Sequence, residues 1–240
     1  INYLTEWWNE GDGTSNCSAA VGVTVEATGN VGINFSLDIG ATISGTITAN
    51  NSVLANVNVS VQGDNWSMGT CTDSDGNYLL VVPPGSYRLS AGGRSCGTDP
   101  VTVYPLTYYS EDGLGTYNFL KALVFSVDAG ENTTKNFVLA EGAKISGLVT
   151  DSDSNVLANV NVNVNVSWQD DNWGMGTCTG SDGKYLLVVP SGSDYSYWLS
   201  AGGWSCDPDP ETIYALTYYS ADGLGTYNYG EALVFSVGAG

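Results

Sequence analysis

The feature that most constrains this chain is that it repeats itself. Ile43-Ser44-Gly45 returns as Ile145-Ser146-Gly147, and Leu54-Ala55-Asn56-Val57-Asn58-Val59 returns as Leu157-Ala158-Asn159-Val160-Asn161-Val162. Gly69-Thr70-Cys71-Thr72 returns as Gly176-Thr177-Cys178-Thr179, and Tyr78-Leu79-Leu80-Val81-Val82-Pro83 returns across 185–190. Leu106-Thr107-Tyr108-Tyr109-Ser110 and the following Asp112-Gly113-Leu114-Gly115 come back from Leu216 onward. A period of about 100 residues is domain-sized, so two homologous domains are expected, 41–142 and 143–240. Inside each, runs such as Val57-Asn58-Val59-Ser60-Val61 and Val160 to Val166 alternate apolar and polar residues with period two. That is the pattern of strands with one buried face. The 31 glycines disfavour helix, so the expected class is all-β.

The ends of the repeat are out of phase with the ends of the sequence. Residues 1–40 align without gaps on the second half of a repeat: Leu4-Thr5 falls on Leu106-Thr107, and Gly11, Gly13, Thr14 and Asn16 fall on Gly113, Gly115, Thr116 and Asn118. Asn34-Phe35-Ser36-Leu37 falls on Asn136-Phe137-Val138-Leu139. The second repeat runs through Leu233, Phe235 and Val237, with no counterpart of the strand that contains Phe137. The expectation is an N-terminal extension, 1–40, whose segment 31–39 is a donor strand presenting Val31, Ile33, Phe35, Leu37 and Ile39 on one face. Its acceptor is expected along Leu233, Phe235 and Val237 in another copy. Burying five such side chains contributes about 7–15 kcal/mol gross, offset by association and ordering. Head-to-tail repetition of that contact does not close and builds a filament. Two other arrangements stay open at this point: a slice of a longer repeat polypeptide, and closure of the strand within its own chain.

The cysteines repeat as well. Cys71 and Cys178 are equivalent, as are Cys96 and Cys206, so the expected disulfides are Cys71–Cys96 and Cys178–Cys206. Such a pair implies an oxidising compartment. Cys17 stands where Phe119 stands in the repeat, either as a small buried residue or as an intermolecular link. Glycosylation sequons occur at Asn16, Asn34, Asn50, Asn58, Asn65, Asn132 and Asn165. Asn34 is expected to face outward, between inward-pointing Ile33 and Phe35. Asp73-Ser74-Asp75-Gly76 and Ser181-Asp182-Gly183 read as turns. Asp151, Asp153 and Asn155 resemble the opening of a calcium loop but lack its Gly and distal Glu, so the expected metal content is none, with calcium there as the minor reading. The pairs Trp7-Trp8, Tyr108-Tyr109 and Tyr218-Tyr219 recur at one phase, which favours packing over a sugar platform.

Composition removes several function classes. With 25 Asp+Glu against 6 Lys+Arg, the net charge of −19 leaves no basic patch for nucleic acid. No stretch is apolar enough to insert in a membrane as a helix. The absence of His removes the commonest general base and zinc ligand. No catalytic residue and no cofactor site is nominated, so the chain is read as non-enzymatic. No leader is visible, so export implies that one was removed.

The pattern Ile-Ser-Gly-x-(Ile/Val)-Thr, Leu-Ala-Asn-Val-x-Val, Gly-x-Tyr and Pro-(Pro/Ser)-Gly-Ser resembles the carboxypeptidase regulatory-like domain, in both 41–142 and 143–240. Tyr3-Leu4-Thr5-Glu6-Trp7-Trp8 looks like the linker between tandem copies in exported bacterial proteins. The resemblance implies two tandem Ig-like, transthyretin-like β-sandwiches of about seven strands each. The family is an accessory module without catalytic residues, found beside peptidases and on cell-surface proteins. The functional expectation is therefore a secreted, extracellular structural subunit that polymerises with copies of itself into a helical filament and carries covalent glycans. The alternative is a set of glycan-binding or spacer repeats in a larger surface protein.

Overall fold

In the computed structural model the described residues are 2–9, 12–14, 16–25, 27, 29, 32–64, 66–97, 104–169, 171–208 and 213–238. All regular structure among them is strand, apart from three short 3₁₀ turns. The strands are β1 Trp7–Asn9 and β2 Asp12–Thr14, then β3 Ala41–Ala49, β4 Ser52–Val53, β5 Val57–Gln62, β6 Ser67–Cys71, β7 Asn77–Val82 and β8 Gly85–Ser95. They continue with β9 Thr107–Tyr108, β10 Phe125–Val127, β11 Asn132–Thr134 and β12 Phe137–Val138. The second repeat adds β13 Ala143–Leu148, β14 Val160–Trp168, β15 Asp171–Cys178, β16 Lys184–Val189, β17 Gly192–Ser205, β18 Thr217–Tyr218 and β19 Phe235–Val237. No helix among the described residues is long and apolar enough to cross a membrane.

Two sheets face each other in the first repeat. One runs β10-β8-β5-β6 with β9 added on β8, and the other centres on β3, which is flanked by β4, β7, β11 and β12. The period-two pattern decides which side chains meet between them. Val57, Val59 and Val61 on β5 and Tyr78, Leu80 and Val82 on β7 turn inward to join Ile43, Ile47, Tyr87, Leu89, Phe137 and Leu139. The second repeat builds a matching core from Ala143, Ile145, Val162, Val164, Val166, Leu187, Val189, Tyr197 and Leu199. Its sheets are β15-β14-β17-β18, with β19 on β17, and the pair β13-β16. A tyrosine anchors each sandwich at an equivalent place: Tyr87 donates to the Pro83 carbonyl at 2.7 Å, and Tyr197 donates to that of Pro190.

The loop after β9 carries a 3₁₀ turn, Phe119–Lys121, whose cap Asn118 accepts the Leu120 N–H. The same turn recurs at Tyr229–Glu231 behind Asn228 and at Cys17–Ala19 behind Asn16, with similar cap dihedrals in all three. The extension therefore shares this turn with both repeats at the position that the alignment with 103–142 gives. It also sits on the first repeat as residues near 105 sit on the second. A methyl group added to Gly40 would meet Leu4 Cδ2 at 2.8 Å, and one added to Gly142 would meet Pro105 Cγ at 2.6 Å. One junction is thus used twice.

Between the repeats, Asp171 accepts from Asn118 Nδ2 at 2.8 Å and pairs with Lys121 Nζ at 2.9 Å. Tyr117 and Tyr195 meet edge to face across the same junction.

A bare strand edge as the candidate functional site

The two repeats differ at one strand. In the first, β11 and β12 lie parallel to β3, pairing Asn132 with Thr42, Thr133 with Ile43, Thr134 with Ser44, Phe137 with Ile47 and Val138 with Thr48. The ladder is held by Lys135 N–H to the Ser44 carbonyl and Leu139 N–H to the Thr48 carbonyl, both 2.8 Å. Between the two short strands the backbone ladder is broken while the register is kept. There the Asn136 side chain accepts the Thr46 N–H at 2.9 Å, and the Tyr78 hydroxyl donates to the Lys135 carbonyl at 2.6 Å. This segment comes so near β3 that any methyl group on Gly45 would collide with the Lys135 carbonyl. In the second repeat β13 pairs with β16 alone among the described residues, which leaves its other side as an exposed edge.

The residues expected to form the acceptor edge do not lie on this bare edge. Phe235 and Val237 belong to β19, which pairs with β17 in the opposite sheet, and their side chains pack against the second core. Leu233 precedes that strand, and its N–H bonds to the Tyr219 carbonyl at 2.8 Å. The unpaired edge is 143–148. The strand that follows 125–127 in sequence crosses to the other sheet, a step that period-two patterning does not reveal.

The missing strand shows in the burial of its neighbours. Ile43 and Ile47 are 0 % exposed, whereas Ile145 is 7 % exposed and Val149 is half-buried. Tyr78 is buried, and its counterpart Tyr185 is half-buried. Burial raises the hydroxyl pKa of both tyrosines. Tyr109 stacks edge to face on Phe137 at 5.3 Å, and its counterpart Tyr219 is 47 % exposed. The hydroxyl of Tyr185 lies over Gly147, 2.7 Å from where a methyl group there would sit, in the space that the Lys135 carbonyl occupies over Gly45.

Of the expected donor residues, Ile39 bridges Tyr3, while Ile33, Phe35 and Leu37 pair with no strand among the described residues. Phe35, Leu37 and Ile39 are exposed and Ile33 is half-buried, whereas Val31 lies outside the described residues. Their internal equivalents refine the one-face expectation. Phe137 and Leu139 are buried, Glu141 is exposed, and Lys135 lies at the core rim with its ammonium over the Tyr109 and Phe125 rings. Two side chains, not five, enter the core fully: the alternation holds from 132 to 139, but Thr133 and Lys135 are only half-buried and Glu141 is exposed. The role of Asn136 was not legible in the sequence, where Asn34 registered only as a sequon.

Both expected disulfides are formed, Cys71–Cys96 and Cys178–Cys206. Cys17 is a free, exposed cysteine, which corrects the buried reading. Among the sequons, Asn16 caps a 3₁₀ turn, Asn34, Asn50 and Asn132 are exposed, Asn58 and Asn165 are half-buried within strands, and Asn65 lies outside the described residues. Asp151 accepts the N–H groups of Asp153 and Asn155 and the Asn155 amide, so its carboxylate holds the turn. The described residues hold no group of three or more metal-ligating side chains. The paired aromatics pack on their own loops, Tyr108 on Phe119 and Tyr218 on Tyr229. A cleft of about 1230 Å³ opens between the repeats, lined by polar residues such as Asn58, Arg94 and Asn161 and by apolar ones such as Leu106, Met175 and Trp204.

Residues 42–140 match the carboxypeptidase regulatory-like domain. The matched domain begins on β3 and ends just beyond β12, so the regulatory-like unit includes the strand that covers the edge of β3. Comparison with curated proteins gives no match. Among solved structures, the TIE protein of Bacillus anthracis is 15% identical over 78% of this chain and 31% of its own, with a TM-score of 0.30. A streptococcal ancillary pilin is 12% identical over 78% and 60%, TM-score 0.30. A shaft pilin SpaA variant from Lactobacillus rhamnosus GG is 10% identical over 78% and 94%, TM-score 0.27. The chain thus spans about a third of the first of these proteins and 60% of the second.

Proposed function

We propose that this protein is a structural subunit of an extracellular filament, in which residues 31–39 of one copy cover the edge of β13 in the next. One observation carries the reading: the edge of β3 is covered by 132–138, the edge of β13 is bare, and among the described residues 32–37 of a second copy of the covering sequence pair with no strand. The disulfide in each repeat suits a protein that works outside the reducing cytosol. No step of this role requires catalysis.

The test is assembly of the full chain beside a variant lacking residues 1–39, followed by electron microscopy and sedimentation. Fibres from the full chain and soluble monomers from the truncation are expected. A synthetic 29–40 peptide should bind the truncated chain and raise its melting temperature. Fibres from the truncation would overturn the proposal, as would a full chain that stays monomeric at every concentration.

A second reading, glycan binding by a larger surface protein, draws on the inter-repeat cleft and on Trp204, which is 60% exposed on its wall. Trp204→Ala should abolish retention on a polysaccharide column under this reading, and leave assembly untouched under the first.

A further inference from the structure

The bare edge does more than accept a strand; its residues specify which strand and in which register. The first repeat supplies the template, because most groups that touch 134–139 there have a counterpart beside β13. Ser44 and Thr48, whose carbonyls accept from Lys135 and Leu139, correspond to Ser146 and Thr150. Thr46, whose N–H is capped by the Asn136 side chain, corresponds to Leu148. Tyr78, which donates to the Lys135 carbonyl, corresponds to Tyr185, and Gly45 corresponds to Gly147.

The incoming strand has matching chemistry at matching positions. Asn34 stands where Asn136 stands, and Phe35 and Leu37 stand where the buried Phe137 and Leu139 stand. Ile33 replaces Lys135, whose ammonium lies over two aromatic rings at the rim of the first core. The corresponding rings in the second repeat are Tyr219 and Phe235. A branched aliphatic chain covers these rings and removes a cation from the interface, so the external copy is the more apolar of the two.

We infer that a second copy of this chain docks residues 31–37 parallel to β13, with Val31 opposite Ile145, Gly32 opposite Ser146, Phe35 opposite Val149 and Ser36 opposite Thr150. In this register the Asn34 side chain accepts the Leu148 N–H, and the Tyr185 hydroxyl leaves Gly147 to donate to the Ile33 carbonyl. Gly147 is then required, because a methyl group would occupy the path of that carbonyl. Asn34 is a specificity residue, not a sugar attachment point, since a glycan on its amide would obstruct the cap. This inference rests on the filament reading, and it fixes a register that the filament reading leaves free.

Cysteine pairs in the full chain, with Cys17 changed to Ser, separate the two. Residues directly opposite on neighbouring strands lie within the span a disulfide bridges, whereas a shift of two residues puts them beyond it. Gly32→Cys with Ser146→Cys should give intermolecular cross-links that extend into ladders on mild oxidation. Gly32→Cys with Leu148→Cys should not. Ladders from the shifted pair alone would overturn the register and leave strand exchange standing. Assembly into fibres with no cross-link from either pair would overturn both. Asn34→Ala should raise the critical concentration for assembly by about tenfold, the effect of leaving one strand N–H unpaired. An unchanged critical concentration, or fibres carrying sugar on Asn34 by mass spectrometry, would overturn the assignment of Asn34.

Discussion

The two repeats share sequence, disulfide, anchoring tyrosine and turn geometry, yet one core is closed and the other is open along one side. Ile43, Ile47 and Tyr78 are sealed beneath Phe137 and Leu139, whereas Ile145, Val149 and Tyr185 line a margin that nothing in the described chain covers. The difference lies in the pairing of a single strand, beside a few changes along the edge such as Thr42 to Lys144, Thr46 to Leu148 and Ile47 to Val149. A β-sandwich of this type can therefore be read as an acceptor plus one removable strand. The first repeat carries its strand in cis. The second leaves the equivalent edge bare among the described residues, which under the proposed function is a socket for the N-terminal segment of another copy.

The sharpest way to break this comparison is to truncate the same side chain in both copies of the strand. Phe137 is 1 % exposed, and Phe137→Ala should destabilise the first repeat by about 3–5 kcal/mol. Phe35 is 51 % exposed, so Phe35→Ala should leave the melting temperature of the monomer unchanged while abolishing fibres. Calorimetry of dilute monomer together with sedimentation of concentrated protein reads both effects. Equal destabilisation of the monomer by the two substitutions would mean that Phe35 already packs within its own chain, and the socket picture would fail.

The disulfides should be insensitive to the difference. They span 25 and 28 residues, and each should contribute about 3 kcal/mol by restricting the unfolded chain. Replacing Cys71 with Cys96, or Cys178 with Cys206, by alanine should lower the stability of the affected repeat by similar amounts in denaturant titrations. A much larger loss in the second repeat would show that its open core depends on the bridge in a way the closed core does not.

Much of this was legible in the sequence because repetition turns one chain into its own alignment. The strands, the disulfide partners and the half-repeat at residues 1–40 all follow from period and phase. The 3₁₀ turns behind Asn16, Asn118 and Asn228 show how literally the phase is kept. What stayed hidden was partnership. Alternation tells which face of a strand is buried but not which sheet it joins, so Leu233, Phe235 and Val237 were expected to form a free edge, whereas the bare edge is that of β13. The break in the ladder at Lys135 and Asn136 was hidden for a related reason. A polar residue at an inward position reads as a weak strand until the carbonyl it frees is seen to meet Tyr78.

The junction gives a smaller effect and a second contrast. Asp171 has a side chain 16% exposed and holds both Asn118 and Lys121, whereas its counterpart Asp64 is exposed. Asp171→Ala leaves the buried Asn118 amide without its acceptor, which costs about 1–2 kcal/mol; the exposed Lys121 adds little. Hydrogen exchange should show faster opening around 105–121 in that variant, with each repeat's own unfolding midpoint retained. Asp64→Ala should be silent in the same experiment.

The smallest expected effect concerns the turns after β9 and β18, which lie away from the open edge and should behave alike. The Ser110 hydroxyl and then the Leu114 N–H hold the Asp112 carboxyl below its ordinary value of 3.8. Ser220 and Leu224 do the same for Asp222. A carboxylate whose folded pKa is depressed adds stability that is complete above the unfolded value and is lost as pH falls through the lower, folded one. Both turns should therefore stay intact at neutral and mildly acidic pH and loosen only below the ordinary carboxylate range. Carboxyl-detected NMR titration should place both aspartates below 3.8, with Ser110→Ala and Ser220→Ala each moving its own aspartate upward. If Asp222 alone titrated at its ordinary value, the openness of the second repeat would extend past its bare edge into the loop. The difference between the repeats would then be larger than one strand.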